Sequence, residues 1–384
     1  MKIAHVTGSI SRIGTGVTSV VRELAKFTSN LEACSEVAVF SCSDRFTDLD
    51  RGSFDSIKIE LIEHANLYDA VLKRRAYVEL LEKLKYYDIV HIHGTWLLLC
   101  KIVADVCVSL RIPYVLSPHG MLEPWPLSQK RTKKRIAMSL YQRRILEQAS
   151  ALHGTSFQEA NNLKQLGFTR PIAVLPNGIE MPPANLAKRG ERGSGKLTVL
   201  FLSRIDRKKG VDNLIDAWAC INSAGWEVKV VGPDTDNHLI DLKRRARRRG
   251  VARDFEFLPP VYGEEKWNTI QSADLFVLPT RSENFGLVIA EAMVSGIPII
   301  TTKAAPWKVL EEIGCGWWIN VGVRPLASAL EEAFKLESTE RYLMGRNGID
   351  YARQEFDWSR ISTSFMNLYG WICNGLDKPE FLRD

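Results

Sequence analysis

The chain has 384 residues, 45% of them hydrophobic and 25% charged; that composition excludes a disordered chain, and the length points to two domains of about 180 residues each rather than one core. Lysine and arginine outnumber aspartate and glutamate by 51 to 45, a formal +6 that favours anionic partners such as nucleotides or phospholipid headgroups. The seven cysteines form no C-x-x-C pair, and their odd number argues against a disulfide framework and for a reducing compartment.

Residues 1–6 run straight into a strand, without the apolar stretch and small-residue cleavage site of a secretion signal, so the expected location is cytoplasmic. Short apolar runs then alternate with longer segments of helical period, the pattern of βαβ units around parallel sheets. Strands are expected at 3–7, 37–41, 57–61, 89–93, 114–117, 151–154 and 172–175. Between the first two, Val17, Val20, Val21 and Leu24 fall on one stripe of an amphipathic helix. The longest apolar run, Trp96 to Ile112, is broken by Lys101, Asp105 and Arg111; it is too short and too charged to span a bilayer, so membrane contact is at most peripheral. The Pro-, Gly- and charge-rich stretch 182–196 has no apolar period and reads as a linker. The expected division is therefore a first domain at 1–182, a linker at 183–196, a second domain at 197–356, and a crossover helix and tail at 357–384. In the second domain strands are expected at 197–203, 227–231, 255–258, 275–279 and 297–301. Apolar residues at 358, 361, 365, 368, 369 and 372 mark the last amphipathic helix.

Three constellations carry chemistry. Gly14-Thr15-Gly16 follows the first strand and precedes the first helix, where glycines allow a ligand close to the backbone and a helix N-terminus favours negative charge. Alone it is also compatible with an ordinary tight turn, and it is not the G-x-G-x-x-G of a dinucleotide site. Ser203-Arg204-Ile205-Asp206-Arg207-Lys208-Lys209-Gly210 ends the first strand of the second domain. At the carboxyl end of a parallel strand, Arg204 and Lys209 can together neutralise a diphosphate, while Arg207 and Lys208 read as solvated. Ser282-Glu283-Asn284-Phe285-Gly286-Leu287 opens another helix, with Asn284 as the expected N-cap and the amides of Phe285, Gly286 and Leu287 free. Glu283 there can accept bonds from sugar hydroxyls. Glu291, on an otherwise apolar helix, needs a polar partner if buried, and a ribose diol is suitable.

Two glutamates seven residues apart around S-E-N-F-G-L, preceded by S-R-x-x-x-x-K-G and by Asn177-Gly178-Ile179, resemble glycosyltransferase family 4 over nearly the whole chain. The resemblance implies an α/β fold of the GT-B kind, two Rossmann-like domains facing a central cleft, with a C-terminal helix crossing back to the first domain. It implies a retaining enzyme that takes a UDP- or GDP-sugar as donor, with no cofactor and no metal required. Gly16, beside Gly14, would sit against the donor diphosphate, which Arg204 and Lys209 would hold. Glu283 and the amides near Phe285 and Gly286 would bind the transferred sugar, and Glu291 the ribose. Val261, in Leu258-Pro259-Pro260-Val261-Tyr262, lies where the family often holds the base, but proline at the usual small residue leaves the base undecided.

His119, in Ser117-Pro118-His119-Gly120, ends the fifth strand in a setting like the family's S-x-H-G and can meet a sugar hydroxyl or the acceptor. His91 and His93 alternate on one strand and share a face; with no third ligand in view they read as structural or acceptor-facing. From Lys130 to Arg144 seven basic residues and no acidic one interleave with Ile136, Met138, Leu140 and Tyr141, behind Trp125. That basic amphipathic segment, 130–144, suits an anionic membrane surface and makes a lipid-linked saccharide in surface-polysaccharide assembly the leading acceptor. A soluble small-molecule acceptor is the alternative. The run Lys243 to Arg249 lacks interleaved aromatics, so nucleic acid is not an expected partner. No pair of carboxylates reads as the acid and base of a glycoside hydrolase. A phosphorylase, an epimerase and a non-catalytic binding subunit are the remaining rivals.

Overall fold

A computed structural model describes residues 1–55, 57–62, 70–183, 195–235 and 237–383. The chain divides into two units, Met1–Gly178 with Trp358–Asp384, and Ile179–Asp357. The crossing points lie at 178/179 and 357/358 rather than at 182 and 356. The reason is local: Ile179 is buried in the second unit's core, and its amide donates to the Phe356 carbonyl, so the two crossings are tied to each other. Of the linker expected at 183–196, residues 184–194 lie outside the described residues.

The first unit contains strands β1 (Lys2–Val6), β2 (Glu36–Ser41), β3 (Lys58–Leu61), β4 (Ile89–His93), β5 (Tyr114–Ser117), β6 (Ala151–Gly154) and β7 (Ile172–Val174). The second contains β8 (Leu197–Leu202), β9 (Trp226–Val231), β10 (Phe255–Leu258), β11 (Leu275–Leu278), β12 (Ile299–Thr302) and β13 (Gly316–Ile319); β14 (Leu382–Arg383) returns to the first unit. β12 starts two residues later than expected because Pro298 has no N–H for the ladder. β13 and the two-residue β14 carry too short a pattern to be read in advance.

The first sheet runs β14-β7-β6-β5-β4-β1-β2-β3 and the second β10-β9-β8-β11-β12-β13. Every pair is parallel except β14 on β7. Both faces of the first sheet are buried, and β2 shows how: Val37 and Val39 enter one apolar cluster with Val21 and Ala25, while Ala38 and Phe40 enter the other with Val90 and Leu116. Helix Thr15–Ser29 buries Val20, Val21 and Leu24, the stripe seen in the sequence. Helix Leu98–Leu110 is the long apolar run, buried within the first unit's core. No helix among the described residues is long and apolar enough to cross a membrane.

The final helix, Trp358–Asn374, belongs to the first unit and packs against Thr15–Ser29. Trp358 is 3% exposed and stacks on Phe27 with ring centroids 6.1 Å apart; a Cβ on Gly178 would lie 2.3 Å from its indole. Removing that indole leaves a cavity where the chain re-enters the unit. Trp358→Ala is expected to cost about 3 to 5 kcal/mol in urea unfolding of the first unit, against under about 1 kcal/mol for the exposed Leu376→Ala.

Candidate active site

In an open parallel sheet, ligands bind beyond the carboxyl ends of the strands where the strand order reverses. In the second unit that reversal falls between the neighbours β8 and β11. The loops leaving these strands hold Arg204 and Lys209 on one side and Glu283 on the other. They are in direct contact. Gly210, at φ +77°, packs so closely that a Cβ would lie 2.1 Å from the Pro279 carbonyl oxygen. The Arg281 amide donates to the Lys208 carbonyl at 2.7 Å, and the Arg281 guanidinium donates to the Arg207 carbonyl and pairs with Asp212 at 2.7 Å. Asp206 accepts from the Lys209 amide at 3.2 Å and closes the turn.

This scaffold brings Lys209 and Glu283 together as an ion pair, with side chains 9% and 11% exposed. Burial alone would raise the Glu283 carboxyl; the charges of Lys209 and Lys208, the Lys209 hydrogen bond and the Asn284 amide outweigh it and hold it below the usual carboxylate range. Lys208 is not solvated as expected but half-buried, and burial lowers its ammonium against the opposing pull of Glu283. Arg204 is exposed, with Asp206 at 3.3 Å.

The N-cap of helix Leu287–Val294 is Gly286, not Asn284. Gly286 takes φ +79°, and a Cβ there would meet Glu283 Cγ at 2.9 Å, so the left-handed turn and the close carboxylate both require glycine. The amides of Phe285, Gly286 and Leu287 have no acceptor among the described residues, and the buried Asn284 Oδ1 has no donor there. The Phe285 ring is core, against Trp307 and Phe356 at 5.4 and 5.5 Å, and Trp307 Nε1 donates to the Phe285 carbonyl. Glu291 has a protein partner that the sequence did not suggest, Lys266 at 2.9 Å. Val261 is half-buried against the same core, and Tyr262 beside it is 58% exposed.

In the first unit the strand order reverses between β1 and β4. After β1, Ser9 and Ser11 donate to Asp44 at 2.5 and 2.9 Å, and Gly14 caps helix Thr15–Ser29. Gly16 therefore lies inside the first turn rather than ahead of it, and Thr15 takes φ +52°, a strained value for a β-branched residue. His119 after β5 is likewise left-handed, at φ +51°. Its loop is pinned by Glu159, whose carboxylate accepts from the Gly120 amide at 2.6 Å and the Thr155 amide at 2.8 Å.

His91 and His93 face the side of the first sheet that carries Phe365 and Tyr369 of the final helix, and they have company there. His5 of β1 stands opposite His91, and ring nitrogens of His5, His91 and His93 lie within 4.8 Å of one another. The facing nitrogens are already hydrogen-bonded: His91 Nδ1 to the Tyr369 hydroxyl at 2.7 Å and Nε2 to Ser117 at 2.6 Å, His5 Nδ1 to His93 Nε2 at 3.0 Å. The set is a hydrogen-bonded layer, and ligation would have to break it.

The family model described as Glycosyltransferase Family 4 matches residues 14–181, and that described as Glycosyl transferases group 1 matches 184–350. A D-inositol 3-phosphate glycosyltransferase of Jonesia denitrificans is 27% identical over 311 residues, 74% of this chain and 72% of the relative. A phosphatidyl-myo-inositol mannosyltransferase of Mycobacterium leprae is 28% identical over 314 residues, covering 77% and 76%. Among solved structures, Anabaena HepE in complex with UDP and glucose superposes with TM-score 0.79 at 20% identity, over 96% of this chain and 99% of that one. WaaG, a glycosyltransferase involved in lipopolysaccharide biosynthesis, gives 0.69 at 17% identity, over 96% and 99%.

Glu283→Gln should cost the second unit about 3 kcal/mol at pH 7, because it leaves Lys209 buried without its counter-charge. Glu283 titrates lower in the folded state than in the unfolded one, so its contribution is present above the unfolded carboxyl value and is lost as pH falls through the folded value. The stability gap between wild type and variant should therefore begin to close once pH falls below about 5 and vanish below the folded Glu283 value; a gap independent of pH contradicts the assignment. With both halves matched in order and the fold shared along the chain, the protein is a glycosyltransferase of GT-B fold that belongs to glycosyltransferase family 4.

Proposed function

We propose that the protein is a retaining glycosyltransferase that moves a hexosyl group from a nucleoside-diphosphate sugar to a saccharide hydroxyl. The observation that carries this reading is the pairing of a buried, ionised Glu283 with Lys209 at a strand-order reversal, beside three amides that have no acceptor among the described residues. Departure of a diphosphate needs cations and amide dipoles fixed in advance, which is an electrostatic task. Arg204 and Lys209 would hold the diphosphate; within the first unit, the helix N-terminus at Gly14 and Gly16 would favour an anion. Glu283, Asn284 and the amides of Phe285 to Leu287 would bind the transferred sugar. Glu291 would turn to the ribose, exchanging or sharing Lys266, and Val261 would lie by the base. His119 would meet a sugar hydroxyl. The leaving phosphate oxygen would take the acceptor proton on the face it departs from, so no protein base is called for. HepE forms a complex with UDP and glucose, which supports UDP as the nucleotide here.

For the acceptor we favour a lipid-linked saccharide reached at the cytoplasmic face of a membrane. The basic segment forms helix Arg131–Ala137, a π-turn Met138–Gln142 and helix Arg143–Gln148. Met138 and Tyr141 turn to the core, while Ile136 and Leu140 stand 55% and 75% exposed among the exposed Lys130, Arg131, Lys133 and Arg135. Lys134 folds back onto the Pro126 carbonyl at 2.6 Å. Apolar side chains ringed by cations fit an anionic bilayer surface. Several relatives are D-inositol 3-phosphate glycosyltransferases, which supports a second reading, a soluble phosphorylated acceptor.

Purified protein offered UDP-, GDP- and ADP-sugars should slowly release nucleoside diphosphate from one of them, and Arg204→Ala/Lys209→Ala should abolish it. If none is hydrolysed and none raises the melting temperature, the donor site is wrong. Sedimentation with vesicles containing about one-third anionic lipid should fall about tenfold in Lys133→Glu/Arg135→Glu and in Ile136→Ser/Leu140→Ser, with donor hydrolysis unchanged. Unchanged sedimentation favours the soluble acceptor.

A further inference from the structure

Two hydrogen-bonded files of side chains cross the histidine layer. In the first, His153 Nε2 meets the Leu175 carbonyl at 2.8 Å, and a carbonyl can only accept. His153 Nδ1 must then accept from the Ser117 hydroxyl at 2.7 Å, Ser117 from His91 Nε2, and His91 Nδ1 from the Tyr369 hydroxyl. Every proton in that file is placed by its end group.

The second file is His5, His93 and His119. His5 Nδ1 faces His93 Nε2 at 3.0 Å, His93 Nδ1 faces His119 Nε2 at 3.0 Å, and the His93 and His119 rings stack 5.3 Å apart. Burial lowers the His5 and His119 rings to about 3 and His93 well below its ordinary value, so at neutral pH all three are uncharged and carry one proton each. Three protons over two shared contacts leave one for an end of the file. It sits either on His5 Nε2 or on His119 Nδ1.

The two ends are not equivalent. His5 Nε2 is buried with no partner among the described residues. A buried donor without an acceptor is rarer and costlier than a buried acceptor without a donor, so the bare nitrogen belongs there. His119 is half-buried, and its Nδ1 has no partner among the described residues, leaving it available to a ligand. We propose that His5 and His93 are positioning residues that hold His119 as the neutral Nδ1–H tautomer, so that it meets its ligand as a hydrogen-bond donor and not as a base. The use of that donor on a sugar oxygen rests on the transfer reading above; the tautomer does not.

The test is a two-bond proton–nitrogen correlation spectrum of the ligand-free protein labelled with ¹⁵N-histidine at pH 7, the His119 signals being assigned by their loss in His119→Asn. The wild type is expected to show a protonated Nδ1 and a bare Nε2 on His119. His93→Leu should lose this pattern and give averaged nitrogen shifts. His93→Asn, whose amide N–H can donate to His119 Nε2 as the imidazole does, should restore it. A His119 ring protonated on Nε2 in the wild type, or a pattern unmoved by His93→Leu, overturns the proposal. The wild-type spectrum decides even where His93→Leu does not fold, and because no sugar is present, its failure is separate from failure of the donor assay.

Discussion

A lysine and a glutamate shielded from water in the second unit, Lys209 and Glu283, are the contact on which the candidate donor site depends. Taking two charges out of water is expensive, and an apolar pair of the same volume would often serve stability as well. Here the pair joins the loop after β8 to the loop after β11, bringing together residues 74 positions apart because their strands are neighbours in the sheet. Gly210 against Pro279 and Arg281 against the Arg207 carbonyl bridge the same two loops. The carboxylate is thereby held ionised beside the open amides of the following helix, one charge of each sign at the strand-order reversal.

The first unit solves a different problem with polar side chains. Its described histidines sit beneath the final helix, where protonation would be costly, and apart from His5 Nε2 and His119 Nδ1 their ring nitrogens are hydrogen-bonded to one another, to Ser117 and Tyr369, and to the Leu175 carbonyl. Tyr369 comes from the end of the chain, 278 residues after His91, so the crossover helix contributes hydrogen bonds as well as apolar area to the unit it rejoins. The backbone strain at Thr15 and His119 falls on the two loops singled out as ligand-facing, and each is pinned by a carboxylate, Asp44 near the one and Glu159 under the other. Strain of this kind persists only where surrounding bonds over-determine it.

Much of this was legible in advance. β4, β5 and β6 fall at the residues expected, because parallel strands buried on both faces are short runs bounded by turns; the edge strand β10 also falls where expected, on its apolar run between loops. The site glutamates and cations stood out by spacing. Their partners did not: Lys266 for Glu291, Arg281 for the 203–210 loop, and His5 for His93 are 25 to 88 residues away in sequence and are neighbours only through strand order. Glu159 could have been noticed in Ser156-Phe157-Gln158-Glu159, the spacing of a capping box, though its carboxylate turns to Thr155 and Gly120 instead of the cap amide. In 130–144 a helical period already sets Ile136 and Leu140 on one side and Met138 and Tyr141 on the other, and the structure divides them in the same way between solvent and core.

In the proposed reaction an electrostatic site, without a protein base, would transfer the sugar to the face from which the diphosphate leaves. The most direct measurement is the anomeric configuration of the first product, followed by proton NMR from a donor of known configuration before mutarotation sets in. The expected product keeps the donor's configuration. A product of inverted configuration would contradict the proposed reaction, because attack from the opposite face requires a base that these residues do not supply.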